Sequence, residues 1–298
     1  MKKFRQTGKQ RKFADRAGVA STSGRKVGLA RALSKLGFCS RARATVLIRG
    51  GRLHVNGAVR RNPETPVHVG LDRVEVDGRV VVAMEKLYFA FHKPRGIVTS
   101  ASDEQGRATI YDFLKMEPQW IAPVGRLDKA SEGLLLLTND SEWGARILAP
   151  ETHVEKIYHV QIGGRATPEL LEALRRGVPA DGDTLRVKRV EIVREGGRSC
   201  WLEMVLDEGK NRQIRRMLAG LRMEVLRLFR IAVGPILLGE LGKGEYRALT
   251  GAEMTSLEGA TGLHSERSRQ TTGRNKHEIR DSEAPSWAGW PPRDSLRY

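Results

Sequence analysis

The chain is poor in cysteine and lacks every paired metal-binding spacing. Its two cysteines, Cys39 and Cys200, lie far apart, which excludes a disulfide framework and a thiolate zinc site. The seven histidines are scattered, with no His-x-x-x-His pair and no acidic cluster nearby, so no metal centre is expected. A phosphate-cradling Gly-x-x-x-x-Gly-Lys-Ser/Thr loop is missing too. No apolar run of about 20 residues and no signal-peptide core occurs, which argues against a membrane partner and for a cytoplasmic protein. No internal repeat of fixed period is present, which excludes a solenoid or propeller.

What the chain has in excess is positive charge. Lys and Arg number 52 against 35 Asp and Glu, a formal net charge of +17 and a pI near 10.3. Such a surface seeks a polyanion, because clustered cations release the counterions condensed on a phosphate backbone. The 298 residues, 40% of them hydrophobic, are enough for one medium domain and a small one.

Charge and periodicity divide the chain. Residues 1 to 26 carry Lys2, Lys3, Arg5, Lys9, Arg11, Lys12, Arg16, Arg25 and Lys26 against the lone acid Asp15, and read as a disordered basic arm that orders only on RNA. From Val27 the spacing of Leu29, Leu33 and Leu36 predicts a short helix stopped by Gly37. Ser40 then caps a second helix, with Arg41 and Arg43 on one side and Val46 and Leu47 on the other, ending at Gly50-Gly51. Leu53-His54-Val55 runs into the hairpin turn Asn56-Gly57, and Val74-Glu75-Val76 into Asp77-Gly78. Arg41, Arg43, Arg49 and Arg52 are the candidate docking cations, set to hold phosphates without reading sequence.

This order of helix, helix, hairpin and strand, with Arg-Leu-His-Val-Asn-Gly at 52 to 57, resembles the S-four-type RNA-binding domain of ribosomal proteins and RNA enzymes. It is assigned to residues 27–84. A larger domain spans 87–250. It opens on the apolar strand Leu87 to His92, mixes strands around Ile157–Ile162, Val187–Val193 and Trp201–Val205, and has helices starting at Asp140 and at Thr167-Pro168. The expected class is α+β, a sheet with flanking helices. Residues 252–298, where periodicity fades, read as a disordered tail in which Trp287 and Trp290 lie among prolines.

The densest signal is Val124-Gly125-Arg126-Leu127-Asp128-Lys129-Ala130-Ser131-Glu132-Gly133, followed by four leucines and Thr138-Asn139-Asp140. Four consecutive leucines read as a strand buried on both faces, so the loop before it displays Arg126 and Asp128 beside an apolar wall. A desolvated carboxylate stays ionised only with a cationic partner, which Arg126 or a more distant arginine supplies, and it then serves as nucleophile or base. On spacing alone, an Arg-x-Asp pair in a loop is more often a salt bridge or a turn.

The wider wording changes that balance. Gly-Arg-Leu-Asp with its leucine strand, His92-Lys93-Pro94-Arg95-Gly96, Glu155-Lys156-Ile157-Tyr158, Glu208 to Leu218 and Leu228 to Gly234 together resemble the RsuA-like bacterial ribosomal RNA pseudouridine synthases. The resemblance covers nearly all of 27 to 250 and implies a pseudouridine-synthase-type bent mixed or antiparallel sheet. It implies that Asp128 is the catalytic aspartate, that Tyr158 lies against a flipped base, that Arg126 helps hold the displaced strand and that Arg215 pairs with Asp128. Lys210 and Arg212 are expected at the substrate. The implied partner is ribosomal RNA or a pre-ribosomal particle, large-subunit RNA preferred, served by a monomer with no cofactor. Two other readings remain at this point: a non-catalytic ribosome-assembly factor, and a synthase acting on another RNA. Tyr158 also fits a plain core position on its strand.

Overall fold

Short-range signals decide the first elements of the computed structural model, which describes residues 26–100, 103–114 and 120–261. Most of the basic arm, and the tail from 262 with Trp287 and Trp290, lie outside the described residues. Helix α1 (Leu29–Lys35) is followed by α2 (Arg41–Arg49), which starts where the Ser40 hydroxyl accepts from the Arg43 backbone N–H at 3.1 Å. Val46, read above as sharing a side with Leu47, is 63% exposed while Leu47 is buried. The i, i+3, i+4 spacing of Ala44, Leu47 and Ile48 fills the buried face and turns Val46 to the opposite side.

Strand β1 (Leu53–Val55) returns as β2 (Ala58–Val59) through Asn56 and Gly57, with φ of 52° and 82°, the pair of positive values that a tight two-residue hairpin requires. Asp77-Gly78 repeats the device between β3 (Val74–Val76) and β4 (Arg79–Val80), and β3 pairs antiparallel with β1. Leu53, Val55, Val74 and Val76 pack on Leu29, Leu33, Leu47 and Ile48 as a small core. The connection to the larger half is pinned by the fully buried Asn139, whose Oδ1 accepts from the Leu87 N–H at 2.8 Å while its Nδ2 donates to the Glu85 carbonyl at 2.7 Å.

The larger half is built on one sheet. Its long strands are β5 (Tyr88–Lys93), β6 (Glu132–Thr138), β7 (Lys156–Gly163), β8 (Arg189–Glu195), β9 (Ser199–Leu206), β10 (Val225–Val233) and the short β11 (Tyr246–Ala248). They lie in the order β8-β9-β7-β10-β6-β5-β11. All neighbours in that path are antiparallel except β10 and β6, which run parallel with Phe229 opposite Glu132 and Arg230 opposite Gly133. The sheet is therefore mixed, as expected. Helices α3 (Ser141–Leu148), α4 (Pro168–Arg176) and α5 (Gln213–Gly220) flank it, the first two capped by Asp140 and Thr167.

The leucine strand is buried throughout. Leu134 and Leu136 pack with Trp143 and Ile231 on one face, Leu135 and Leu137 with Phe91 and Ile110 on the other. Each such side chain contributes roughly 2 kcal/mol by leaving water, so β6 is the anchor from which the preceding loop is hung.

One boundary differs from the sequence reading. The chain does not lose order at 252: α6 (Gly251–Ala260) follows, begun by a capping box in which Thr250 and Glu253 satisfy each other's backbone N–H, and its Leu257 is buried in the main core. Tertiary burial of one leucine and a good cap hold a helix that has no apolar stripe. Among the described residues, no helix is long and apolar enough to cross a membrane.

Candidate active site

The loop before β6 is held through its backbone. Five consecutive carbonyls each accept a hydrogen bond. Leu127 O takes one from the Thr99 hydroxyl at 2.7 Å, Asp128 O from Lys93 Nζ at 3.1 Å, and Lys129 O from the Gly96 N–H at 2.7 Å. Ala130 O takes one from Arg215 Nη2 at 3.1 Å and Ser131 O from Lys93 Nζ at 2.9 Å. Lys93 is fully buried, and its third proton goes to the Pro94 carbonyl at 3.0 Å. With its carbonyls fixed, the loop holds the half-buried Asp128 side chain in place before any ligand arrives.

Asp128 opens onto a cleft of about 640 Å³ that all six cleft residues named from sequence line: Asp128, Arg126, Tyr158, Lys210, Arg212 and Arg215. They come from the loop, from β7 and from the approach to α5. Tyr158 sits on β7 opposite Arg230 of β10. Arg126, Lys210 and Arg212 are exposed at the mouth. Lys210 lies 3.8 Å from both Asp183 and Glu208.

Among the described residues no ion pair within 4.0 Å reaches the Asp128 carboxylate; two cations, Lys93 and Arg215, flank it at longer range. Burial pulls the Arg215 guanidinium below its ordinary range while Asp128 pulls it back up. Arg215 thus attaches to the loop backbone rather than to the carboxylate. Its Nε, like Ser131 Oγ, is buried with no partner. Both residues line the cleft.

Sequence reasoning missed Lys93, Ser131, Lys156 and Arg230, of which the last three also line the cleft. Lys156 was legible in principle, because it stands two residues before Tyr158 on a strand and so shares its face. Arg216, one turn into α5, is turned inward, with Nε 2.8 Å from Asp181 and Nη2 2.6 Å from the Ala180 carbonyl, where it braces the hairpin of 178–185 against α5. Behind the loop, burial pushes the Glu132 carboxyl up, but Arg227 at 2.6 Å and Lys243 at 3.3 Å outweigh it and hold the group below its ordinary range.

In the small domain Arg41, Arg43, Arg49 and Arg52 are all exposed. Arg52 is not free for phosphate: it forms a bidentate pair with Asp77 that ties β1 to the β3–β4 turn. Arg41, Arg43 and Arg49 make no ion pair among the described residues.

Lys93 permits a pH prediction. Burial pushes its ammonium down to about 8 from 10.5, with Asp128 and Glu132 opposing. Between these values the unfolded chain keeps a proton that the folded chain has lost, so this residue's contribution to stability rises as pH climbs from about 8 to 10.5 and is constant below that window. Deprotonation also removes one donor from the loop, so turnover is expected to fall above pH 8 while the melting temperature does not. Lys93→Met is expected to lower the single-turnover rate by about 10- to 100-fold through a misplaced carboxylate, with RNA affinity unchanged in a filter-binding assay. An unaltered rate would show that the carbonyl ties are dispensable.

Comparison with known proteins agrees with this geometry. The family described as RNA pseudouridylate synthase matches residues 87–220, and the S4 domain matches residues 27–72. An uncharacterized RNA pseudouridine synthase of Aquifex aeolicus is 38% identical over 232 residues, covering 78% of this chain and 93% of that protein. The ribosomal large subunit pseudouridine synthase B of Bacillus subtilis is 36% identical over 231 residues, covering 77% and 94%. A crystal structure of a pseudouridylate synthase superposes with a TM-score of 0.56 at 28% identity, covering 78% of this chain and 99% of that one. With its sheet, its loop and its small N-terminal domain accounted for in this way, the chain belongs to the RNA pseudouridine synthase family.

Proposed function

We propose that this enzyme converts a specific uridine of large-subunit ribosomal RNA to pseudouridine, with Asp128 as the catalytic carboxylate. The observation that carries the reading is the convergence of Asp128, Tyr158, Arg215 and the mouth cations Arg126, Lys210 and Arg212 on one cleft. The name of the Bacillus subtilis relative supports the large subunit as the source of the substrate.

The reaction is an isomerisation. The N1–C1′ bond of uridine breaks with its electron pair on the base, the uracil turns, and C5 bonds to C1′. The hydrogen on C5 leaves as a proton and N1 gains one, so the formula is unchanged and no redox step is needed. Asp128 either attacks the sugar or takes a sugar proton at the first step. A stacked helix hides the glycosidic bond, so the target nucleotide has to leave the stack and enter the cleft. There Tyr158 lies against the base, Arg126 stays with the displaced strand, and the cations at the mouth hold phosphates. Arg41, Arg43 and Arg49 dock the small domain on RNA backbone. Their replacement by Gln together is expected to flatten the salt dependence of binding by up to about three counterions.

The test is to incubate the enzyme with transcribed, unmodified large- and small-subunit rRNA and tRNA, then locate pseudouridine by carbodiimide-dependent reverse-transcription stops. A single stop in large-subunit RNA is expected. A stop only in small-subunit RNA or tRNA would overturn the substrate assignment.

A further inference from the structure

Burial divides the cations that line the cleft. Arg126, Lys210 and Arg212 are exposed at the mouth, whereas Lys156 is 9% and Arg230 6% exposed in the floor. Of these two, Arg230 uses its Nε on the Leu134 carbonyl at 2.7 Å. The Lys156 ammonium receives no hydrogen bond partner and no ion pair within 4.0 Å from any described residue. Asp207 attracts it at longer range and Arg230 repels it, and burial is the larger influence on it. The Asp207 carboxylate itself lies 3.8 Å from His153.

The Lys156 stem is buried while its ammonium, which is not among the enclosed unpartnered atoms, reaches the cleft, where partial desolvation without a paired acid is destabilising. It is tolerated where a ligand brings the opposite charge, and Lys156 lines the same cleft as Asp128. Its place on β7, two residues before Tyr158, sends both side chains out on one face. Phosphates remain with the RNA backbone at the mouth; what reaches the floor is the base.

We propose that Lys156 is a catalytic residue: its ammonium donates a hydrogen bond to a carbonyl oxygen of the bound uracil and stabilises the negative charge the base acquires as N1–C1′ breaks. The inference rests on the reading of Asp128 given above. Lys156 keeps its proton throughout. The electron pair that leaves with N1 spreads onto the ring oxygens, is held there while the base turns, and returns to the ring when C5–C1′ forms. A preorganised donor of this kind acts only when charge develops, so it raises kcat rather than affinity.

The experiment uses the full chain with unmodified large-subunit rRNA, measuring kcat by pseudouridine formation, Kd by filter binding and the melting temperature. Lys156→Met is expected to lower kcat by about 10²- to 10³-fold, to leave Kd within about two-fold, and to melt at or above the wild type because no hydrogen bond or ion pair of Lys156 is lost and a partly desolvated charge is gone. Lys156→Gln, neutral but polar, serves as the second variant should methionine not fold, and the same loss is expected. With an active wild type, a variant kcat within about three-fold of normal overturns the role of Lys156 alone. A Kd that rises as far as kcat falls also overturns it, since that would make Lys156 a phosphate contact. A wild type that forms no pseudouridine on any RNA would sink the Asp128 reading and this one together.

Discussion

Asp128→Asn is expected to stop pseudouridine formation, with a rate loss on the order of 10⁴-fold, while the variant binds RNA as tightly as the wild type or slightly more so. The substitution keeps the shape and removes the charge. No ion pair within 4.0 Å is broken, and the loop is held by its carbonyls, including the Asp128 carbonyl bonded to Lys93 at 3.1 Å, which asparagine retains. The fold should therefore be unaffected and the melting temperature close to normal. Removing an anion from between Lys93 and Arg215 leaves the cleft more positive, which favours a polyanion. The comparison needs single-turnover rates beside equilibrium binding on the same rRNA. Equal loss of both would place Asp128 in binding, not in chemistry.

The second large effect is structural. Gly133→Ala is expected to destabilise the protein by about 3–5 kcal/mol, the sum of backbone strain and overpacking, out of the 5–15 kcal/mol typical of a domain. Gly133 has a φ of 111°, and a Cβ there would stand 2.2 Å from the carbonyl oxygen of Arg230 and 2.7 Å from its nitrogen. Backbone of a central strand cannot withdraw as a flexible side chain could. This glycine lets β6 and β10 pair in parallel where the Asp128 loop ends, and the pairing brings Arg230 to the cleft that Asp128 lines. Denaturant unfolding and soluble yield measure the outcome. A variant as stable as the wild type would mean that the two strands separate more easily than their contact implies.

Much of the small domain was legible because its determinants are local. Ser40, Asn56-Gly57 and Asp77-Gly78 act on the backbone within a few residues, and each does in the structure what its chemistry predicts. Val46 and the start of the tail were misread for one shared reason. A pattern of apolar residues does not say which face a neighbouring element will cover, and the packing of Leu257 into the main core, added to the Thr250–Glu253 cap, holds α6.

At the site, local wording carried the reading as far as Asp128, Arg126, Tyr158, Lys210, Arg212 and Arg215, but not to their surroundings. Lys93 is 35 residues from the Asp128 carbonyl it holds, and Arg216 is 35 from the Asp181 that holds its guanidinium. Such partners meet only when strands distant in sequence are brought side by side. By itself, the sequence determined the elements, the leucine strand, the positive charge that suits a polyanion and the loop that bears the carboxylate, because periodicity, capping and turn chemistry act over a few bonds. The tertiary structure alone decided which cations flank the carboxylate, which are spent on internal acids, and that Lys156 stands unpaired on the cleft floor. Burial and long-range pairing are properties of the closed sheet, and no short segment contains them.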